Sequence, residues 1–140
     1  MKYVLDTNIL RSAITHPDGV NRSVLRACFL HEILPVMGQA LFFEMEDVMF
    51  RTETLRSSPL SPGEIREFLD AYYSVCEWVE VRFLWRPNLS DEGDNHLMEL
   101  AVAANADGIV TQNLKDLKSG ELLFPHLQIL SPIQWKEQNR

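Results

Sequence analysis

Cysteine, glycine-rich stretches, long apolar runs and positive charge are all in short supply in this chain. Its 140 residues hold two cysteines, Cys28 and Cys76, far apart and in no Cys-x-x-Cys or Cys/His spacing, which leaves no metal-binding cysteine motif. Both fall inside apolar helical patterns and are expected as core thiols rather than a disulfide. No apolar run approaches the about 18 residues that span a bilayer. Asp6 breaks the first apolar run after three residues, so a signal peptide is not expected either. The expected compartment is the cytoplasm, with no membrane partner. The six glycines are scattered and form no phosphate-cradling loop. With 13 Lys and Arg against 20 Asp and Glu, the net charge is −7. That argues against sequence-blind adhesion to nucleic acid, which relies on cations. It leaves open a nucleic-acid enzyme whose carboxylates gather around a divalent metal, and equally a basic protein partner.

What is present is an apolar fraction of 46% in a chain of one-domain length. The chain is organised around Tyr3-Val4-Leu5-Asp6-Thr7-Asn8-Ile9-Leu10. A short apolar run ends in a carboxylate and a polar pair opens a second apolar run, which is the pattern of a buried strand feeding a helix. Asp6 is then either a site residue at a strand's carboxyl end, where ligands bind in open α/β sheets, or a helix cap. Asn8 is the competing cap.

Further helices are expected from Asn21 or Ser23 to His31, from Gln39 to Arg51, from Pro62 to about Trp78, and up to Asn105. Ser61, Pro62 and Glu64 spell a capping box with proline at the first helical position, and Ser131-Pro132 opens a C-terminal helix by the same logic. Strands are expected at Ile33–Met37, with Pro35 hinting at an edge or a strand start, at Val79–Phe83, at or near an edge, at Gly108–Thr111 and at Leu127–Leu130. Residues 51–62 read as a connector. Strands alternating with helices imply right-handed crossovers and a mainly parallel sheet covered on both faces, a three-layer α/β/α sandwich formed by residues 1–140 as one domain.

Such winding aims acids from separate segments at one crevice. The first strand delivers Asp6, the helix after the second carries Glu44, and the strand Ile109-Val110-Thr111 leads to Asn113 and Asp116. The helix before that strand begins among Asp91, Glu92 and Asp94. Clustered carboxylates repel unless a cation compensates, and Mg²⁺ or Mn²⁺ accepts such oxygen ligands. Taken singly, each acid has a plainer reading: Glu44 shares its helix with Glu46 and Asp47, and Asp91 and Asp94 suit a helix start. Asp107 precedes its strand and belongs at the opposite edge. Asp70 and Glu99 read as solvated helix positions, and His96 and His126 as structural or surface residues.

The order of these motifs resembles the PIN-domain family of metal-dependent nucleases, in particular the toxin components of bacterial and archaeal toxin–antitoxin pairs. Val4-Leu5-Asp6-Thr7-Asn8-Ile9-Leu10 is similar to the family's opening strand, Leu41–Arg51 to its second motif with Glu44 as the acid, Asp91–Ala101 to its third with Asp94, and Ala106–Asn113 to the strand and threonine of its fourth. Where the family often has Thr-Gly-Asp, this chain has Thr111-Gln112-Asn113, so Asp116 or Asp91 would have to supply the fourth carboxylate. The resemblance implies a PIN-like sheet and an endoribonuclease that cleaves single-stranded RNA by water attack on a phosphodiester. It implies metal contacts, direct or through water, from Asp6, Glu44 and Asp94, with Asp116 and Asn113 as further ligands for one ion or two. Thr7 and Thr111 would orient ligands or phosphate, Asn8 would hold the first helix's start, and Asp91 would support. Arg11, Arg22, Arg26, Lys115 and Lys118 are the candidates for meeting RNA. An antitoxin partner and a homodimer, the latter suggested by Trp85, are further expectations. The competing reading is a PIN fold that binds RNA or antitoxin with little catalysis. A phosphatase-type domain fits poorly, because Asn8 stands where its second aspartate would be.

Overall fold

The computed structural model describes residues 1–16, 19–81, 95–114 and 126–139. The expected acids Asp91, Asp94 and Asp116, with Trp85, Lys115 and Lys118, lie outside them. The described chain runs β1 (Lys2–Leu5), α1 (Thr7–Thr15), α2 (Val20–Phe29), β2 (Leu34–Met37), α3 (Gln39–Met49), α4 (Thr52–Ser57), α5 (Pro62–Val75), β3 (Glu77–Trp78), α6 (Asn95–Ala103), β4 (Gly108–Val110), β5 (Gln128–Leu130) and α7 (Pro132–Gln138). The five strands form one sheet in the order β3-β2-β1-β4-β5, and every pairing is parallel. Helices complete an α/β/α sandwich, as the alternation of strands and helices requires. No helix among the described residues is long and apolar enough to cross a membrane.

Strand β1 lies at the centre, and Tyr3, Val4 and Leu5 are all but inaccessible to solvent. The core surrounds it with Ile9, Leu10, Val36, Met37, Met45, Leu69, Leu97 and Ile109. Cys28 belongs to this core and Cys76 packs against it; both are free thiols. Burial pushes the Cys76 thiol up to about 12, so it stays protonated at neutral pH.

Several boundaries differ from the sequence expectation. Of the two expectations for Pro35 the edge fails, since β2 lies between β1 and β3, and the strand start holds, since Pro35 is the second residue of β2. The Leu34 N–H donates to β1 at Met1 O, and Met37 O accepts from Val79 on the β3 side. By the period-two alternation of a strand, the donorless Pro35 nitrogen faces the β3 side, ahead of that strand's first paired residue. The expected strand Val79–Phe83 starts earlier; residues 79–81 are not strand, and Arg82 and Phe83 lie outside the described residues. Only Glu77 and Trp78 pair with β2, because β2 ends at Met37 and Gly38 turns the chain into α3. It does lie at the sheet edge. The fifth helix accordingly stops at Val75 rather than Trp78, and its Ser61–Glu64 capping box is present in both directions. The connector over residues 51–62 contains α4, anchored by the buried Thr54, whose hydroxyl donates to Val48 O. Helix α2 begins at Val20 behind Gly19, ahead of the expected Asn21 or Ser23.

Parallel winding places the carboxyl ends of β1, β2 and β4 together. Leu5 pairs with Val110, so Asp6 and Thr111 leave neighbouring strands at the same level. Asp107 is at the opposite edge, where its carboxylate accepts the Lys2 N–H at 2.7 Å.

Candidate active site

Asp6 is 6% exposed and anchored twice: its N–H donates to Val110 O at 3.0 Å, and its Oδ2 accepts from the Thr111 hydroxyl at 2.8 Å. Thr111 is fully buried, and its oxygen also accepts the Asn113 N–H at 3.0 Å. The turn after β4 therefore holds the hydroxyl that holds Asp6. Burial raises the Asp6 pKa and the nearby Glu44 charge raises it further, while the Thr111 bond, the Asn8 amide and His96 pull the other way.

The start of α1 is arranged differently from the sequence expectation. Asp6 itself occupies the N-cap position, and Asn8 is an exposed residue inside the helix. Asn8 therefore does not cap α1. Its backbone amide lies near enough to favour the Asp6 carboxylate but completes no cap hydrogen bond. Thr7, the first helical residue, is 1% exposed, and its hydroxyl sits beside Glu44 without completing a hydrogen bond.

Glu44 reaches the site from α3, and its neighbours on that helix are otherwise engaged. Glu46 accepts two hydrogen bonds from Arg66 and one from Tyr73, and Asp47 pairs with Arg51 one turn on. Glu44 instead faces Asp6 and His96. His96 Nε2 lies 2.6 Å from Glu44 Oε2. Burial would raise the Glu44 pKa, but the His96 bond and charge, the Thr7 hydroxyl and Arg51 outweigh it and leave it lowered.

His96, expected to be structural or at the surface, lies against Glu44 and so borders the candidate site. The available signal was its place two residues after Asp94, in the first turn of α6. Glu99, one turn on, is buried rather than solvated and lines a hollow of about 260 Å³ with Gly38, Leu41, Val79, His96 and Leu100. Asp70 is exposed as expected and pairs with Arg66. Asn113 and Gln112 are exposed in the turn beyond Thr111.

Asp6 at the carboxyl end of β1 and Glu44 on α3 thus lie near enough for the Glu44 charge to raise the Asp6 pKa, and the buried Thr7 hydroxyl beside Glu44 has no hydrogen-bond partner among the described residues. Oxygen donors with unsatisfied negative charge suit a hard divalent cation such as Mg²⁺ or Mn²⁺. Among the described residues no three His, Cys, Asp or Glu side chains make up a complete ligand group.

These features are those of a PIN domain, and residues 2–115 match the family model for the PIN domain. The chain belongs to the PIN-domain family, whose members are generally nucleases. Among solved structures, it is similar to a chain of the crystal structure of VapBC2 from Rickettsia felis bound to a DNA fragment from their promoter. The TM-score is 0.58 at 19% sequence identity, covering 94% of this chain and 98% of that one. That likeness establishes the fold. No curated protein matches the chain in sequence.

Proposed function

We propose that the protein is a metal-dependent endoribonuclease acting on single-stranded RNA, the toxin of a toxin–antitoxin pair. The buried Asp6, whose pKa is raised by burial and by the Glu44 charge, beside the unsatisfied Thr7 hydroxyl carries this reading, because a buried carboxylate near a second acid is otherwise a cost to the fold. Asp6 and Glu44 would hold Mg²⁺ or Mn²⁺, with Asp94 as the third acid by its place in the third motif. Asp91, Asp116 and Asn113 are the further candidates. The bound ion would supply charge neutralisation at the phosphoryl oxygens and a more acidic attacking water. The chain's own residues prepare the site for it. Thr111 keeps one Asp6 oxygen engaged, so the carboxylate presents a constant face. His96 anchors Glu44. Such supports around ligand carboxylates fix geometry and tune affinity.

The likeness in fold to a chain of VapBC2 and the resemblance to toxin components support an antitoxin partner. Purified protein incubated with single-stranded RNA should cleave it with Mn²⁺ or Mg²⁺, stop on chelation, and leave 5′-phosphate and 3′-hydroxyl ends. Cleavage indifferent to chelator, or retained by both Asp6→Asn and Glu44→Gln, would overturn the assignment. The neutral pair Gln112-Asn113 beyond Thr111 favours a second reading, a binding protein with little catalysis. It would show tight partner binding and no Mn²⁺ uptake in a titration.

A further inference from the structure

We propose that a polar cleft flanking Asp6, bounded by α1, α4 and the turn after β4, binds the nucleotide adjacent to the scissile phosphate, with Arg11 on its phosphate and Gln112 on its base edge. The proposal rests on the ribonuclease reading and names the subsite that reading lacks. The cleft has a volume of about 410 Å³ and is lined by Asn8, Arg11, Ser12, His16, Ser57 and Gln112 among others. Pockets that hold small ligands span roughly 300–1,000 Å³. Its place is set by the site: Asn8 is two residues beyond Asp6, and Gln112 follows the Thr111 that bonds Asp6.

The chemistry matches a nucleotide of single-stranded RNA. Among the described residues lining the cleft Arg11 is the formally charged side chain and no acid stands with it, in a chain of net −7. Arg11 donates from Nε to Thr54 Oγ1 at 3.1 Å, and no carboxylate among the described residues pairs with it. Its direction is set while its charge stays available to a phosphate. Gln112 donates from Nε2 to Ser12 Oγ at 3.2 Å and to Asn21 Oδ1 at 3.3 Å, which orients an otherwise exposed amide at the cleft wall. With both amide N–H groups engaged, the Gln112 oxygen, which Ser12 Oγ approaches at 3.5 Å, keeps a lone pair that can accept from a base edge, whereas phosphate contacts position without specifying. The exposed His16 ring adds a surface on which an unstacked base can lie.

The test separates binding from cleavage. A fluorescein-labelled single-stranded RNA of mixed sequence is titrated with the full chain in EDTA and followed by anisotropy. Arg11→Gln is expected to weaken binding about tenfold and to reduce the slope of log K against log salt by about 0.7, one phosphate contact on a single strand. Gln112→Ala is expected to keep that slope and, once Mn²⁺ is supplied, to change which base flanks the cut in a mixed oligonucleotide pool. Lys136→Gln, at an exposed position of α7, should alter neither. If the protein cleaves RNA while Arg11→Gln and Gln112→Ala retain affinity, salt slope and cut-site preference, the cleft assignment is overturned and the nuclease reading stands. Arg11-dependent RNA binding without cleavage in Mn²⁺ or Mg²⁺ would have the opposite meaning. Thermal melts accompany each variant. Should Arg11→Gln fail to fold through loss of Thr54, the exposed Gln112 still decides.

Discussion

His96 Nε2 and Glu44 Oε2 lie 2.6 Å apart, joining the first turn of α6 to the middle of α3 across 52 residues of sequence. The contact settles which of the acids on α3 faces the sheet edge. Glu46 and Asp47 are held by arginines, while Glu44 is held by a histidine that also bears on Asp6. On the proposed nuclease reading, His96 is a positioning residue. His96→Ala should lower the initial rate of RNA cleavage by about tenfold, within the range for residues that support metal ligands. His96→Gln, which can still donate to Glu44, should lose less. Initial rates paired with thermal melts decide the matter, and equal losses in the two variants would count against positioning.

How much of this was legible in the chain depends on the kind of residue. Asp6 and Thr111 follow from apolar runs that end abruptly, and parallel pairing of those runs brings the two residues together. Glu44 follows from its helix, but its distinction from Glu46 and Asp47 does not, because that depends on where Arg66 and Arg51 sit. His96 was out of reach for the same reason: its partner lies on another helix, and local spacing is silent about such pairs. The exchange of roles at the start of α1 reflects a two-residue ambiguity. Asp6 and Asn8 are both good caps, and only the backbone shows that Asp6 occupies the position. Helix α4 was hidden by serine and threonine, residues that favour turns until a buried contact such as Thr54 to Val48 commits them.

The Glu46–Arg66 pair yields a pH dependence away from the site. Glu46 accepts from Arg66 at 2.6 and 3.0 Å and from the Tyr73 hydroxyl at 2.8 Å, and these bonds hold its pKa below the ordinary 4.5. A depressed carboxylate contributes stability that is present above its unfolded pKa and lost as pH falls through the lowered folded value. Glu46→Gln should thus cost about 0.5–1 kcal/mol at neutral pH, a modest figure because the pair is partly solvated. The variant should also show a shallower loss of stability below about pH 4.5. Urea melts at pH 7 and at pH 3.5 would check both, and an unchanged acid limb would refute the attribution.

Two helix ends invite stabilisation. His31, with φ of 60°, follows α2, and Asn105, with φ of 53°, follows α6. In both, paired backbone bonds close the end: Glu32 to Ala27 O with His31 to Cys28 O, and Ala106 to Ala101 O with Asn105 to Val102 O. The left-handed conformation strains a residue with a Cβ and is borne better by asparagine than by histidine. His31→Gly should therefore stabilise the fold by about 0.5–1 kcal/mol, and Asn105→Gly by less. A chemical melt ranking Asn105→Gly above His31→Gly would contradict the assignment.

The last prediction concerns the cost of keeping Asp6. Its carboxylate is buried beside Glu44, and only part of that penalty is offset by Thr111. Asn at this position can still accept from the Thr111 hydroxyl through its amide oxygen and carries no charge. In the presence of chelator, Asp6→Asn should raise the melting temperature by about 3–4 °C, corresponding to about 1 kcal/mol in a domain of this size. Mn²⁺ should reverse the order. A cation that binds only the folded protein stabilises it in proportion to the logarithm of its saturation, and the wild-type site retains the charge that draws it. The wild-type melting temperature should rise with Mn²⁺ while that of Asp6→Asn stays nearly level. A wild-type melt indifferent to Mn²⁺ and Mg²⁺ would remove the metal from this site, and a variant less stable in chelator would show that Asp6 is retained for the fold rather than for chemistry.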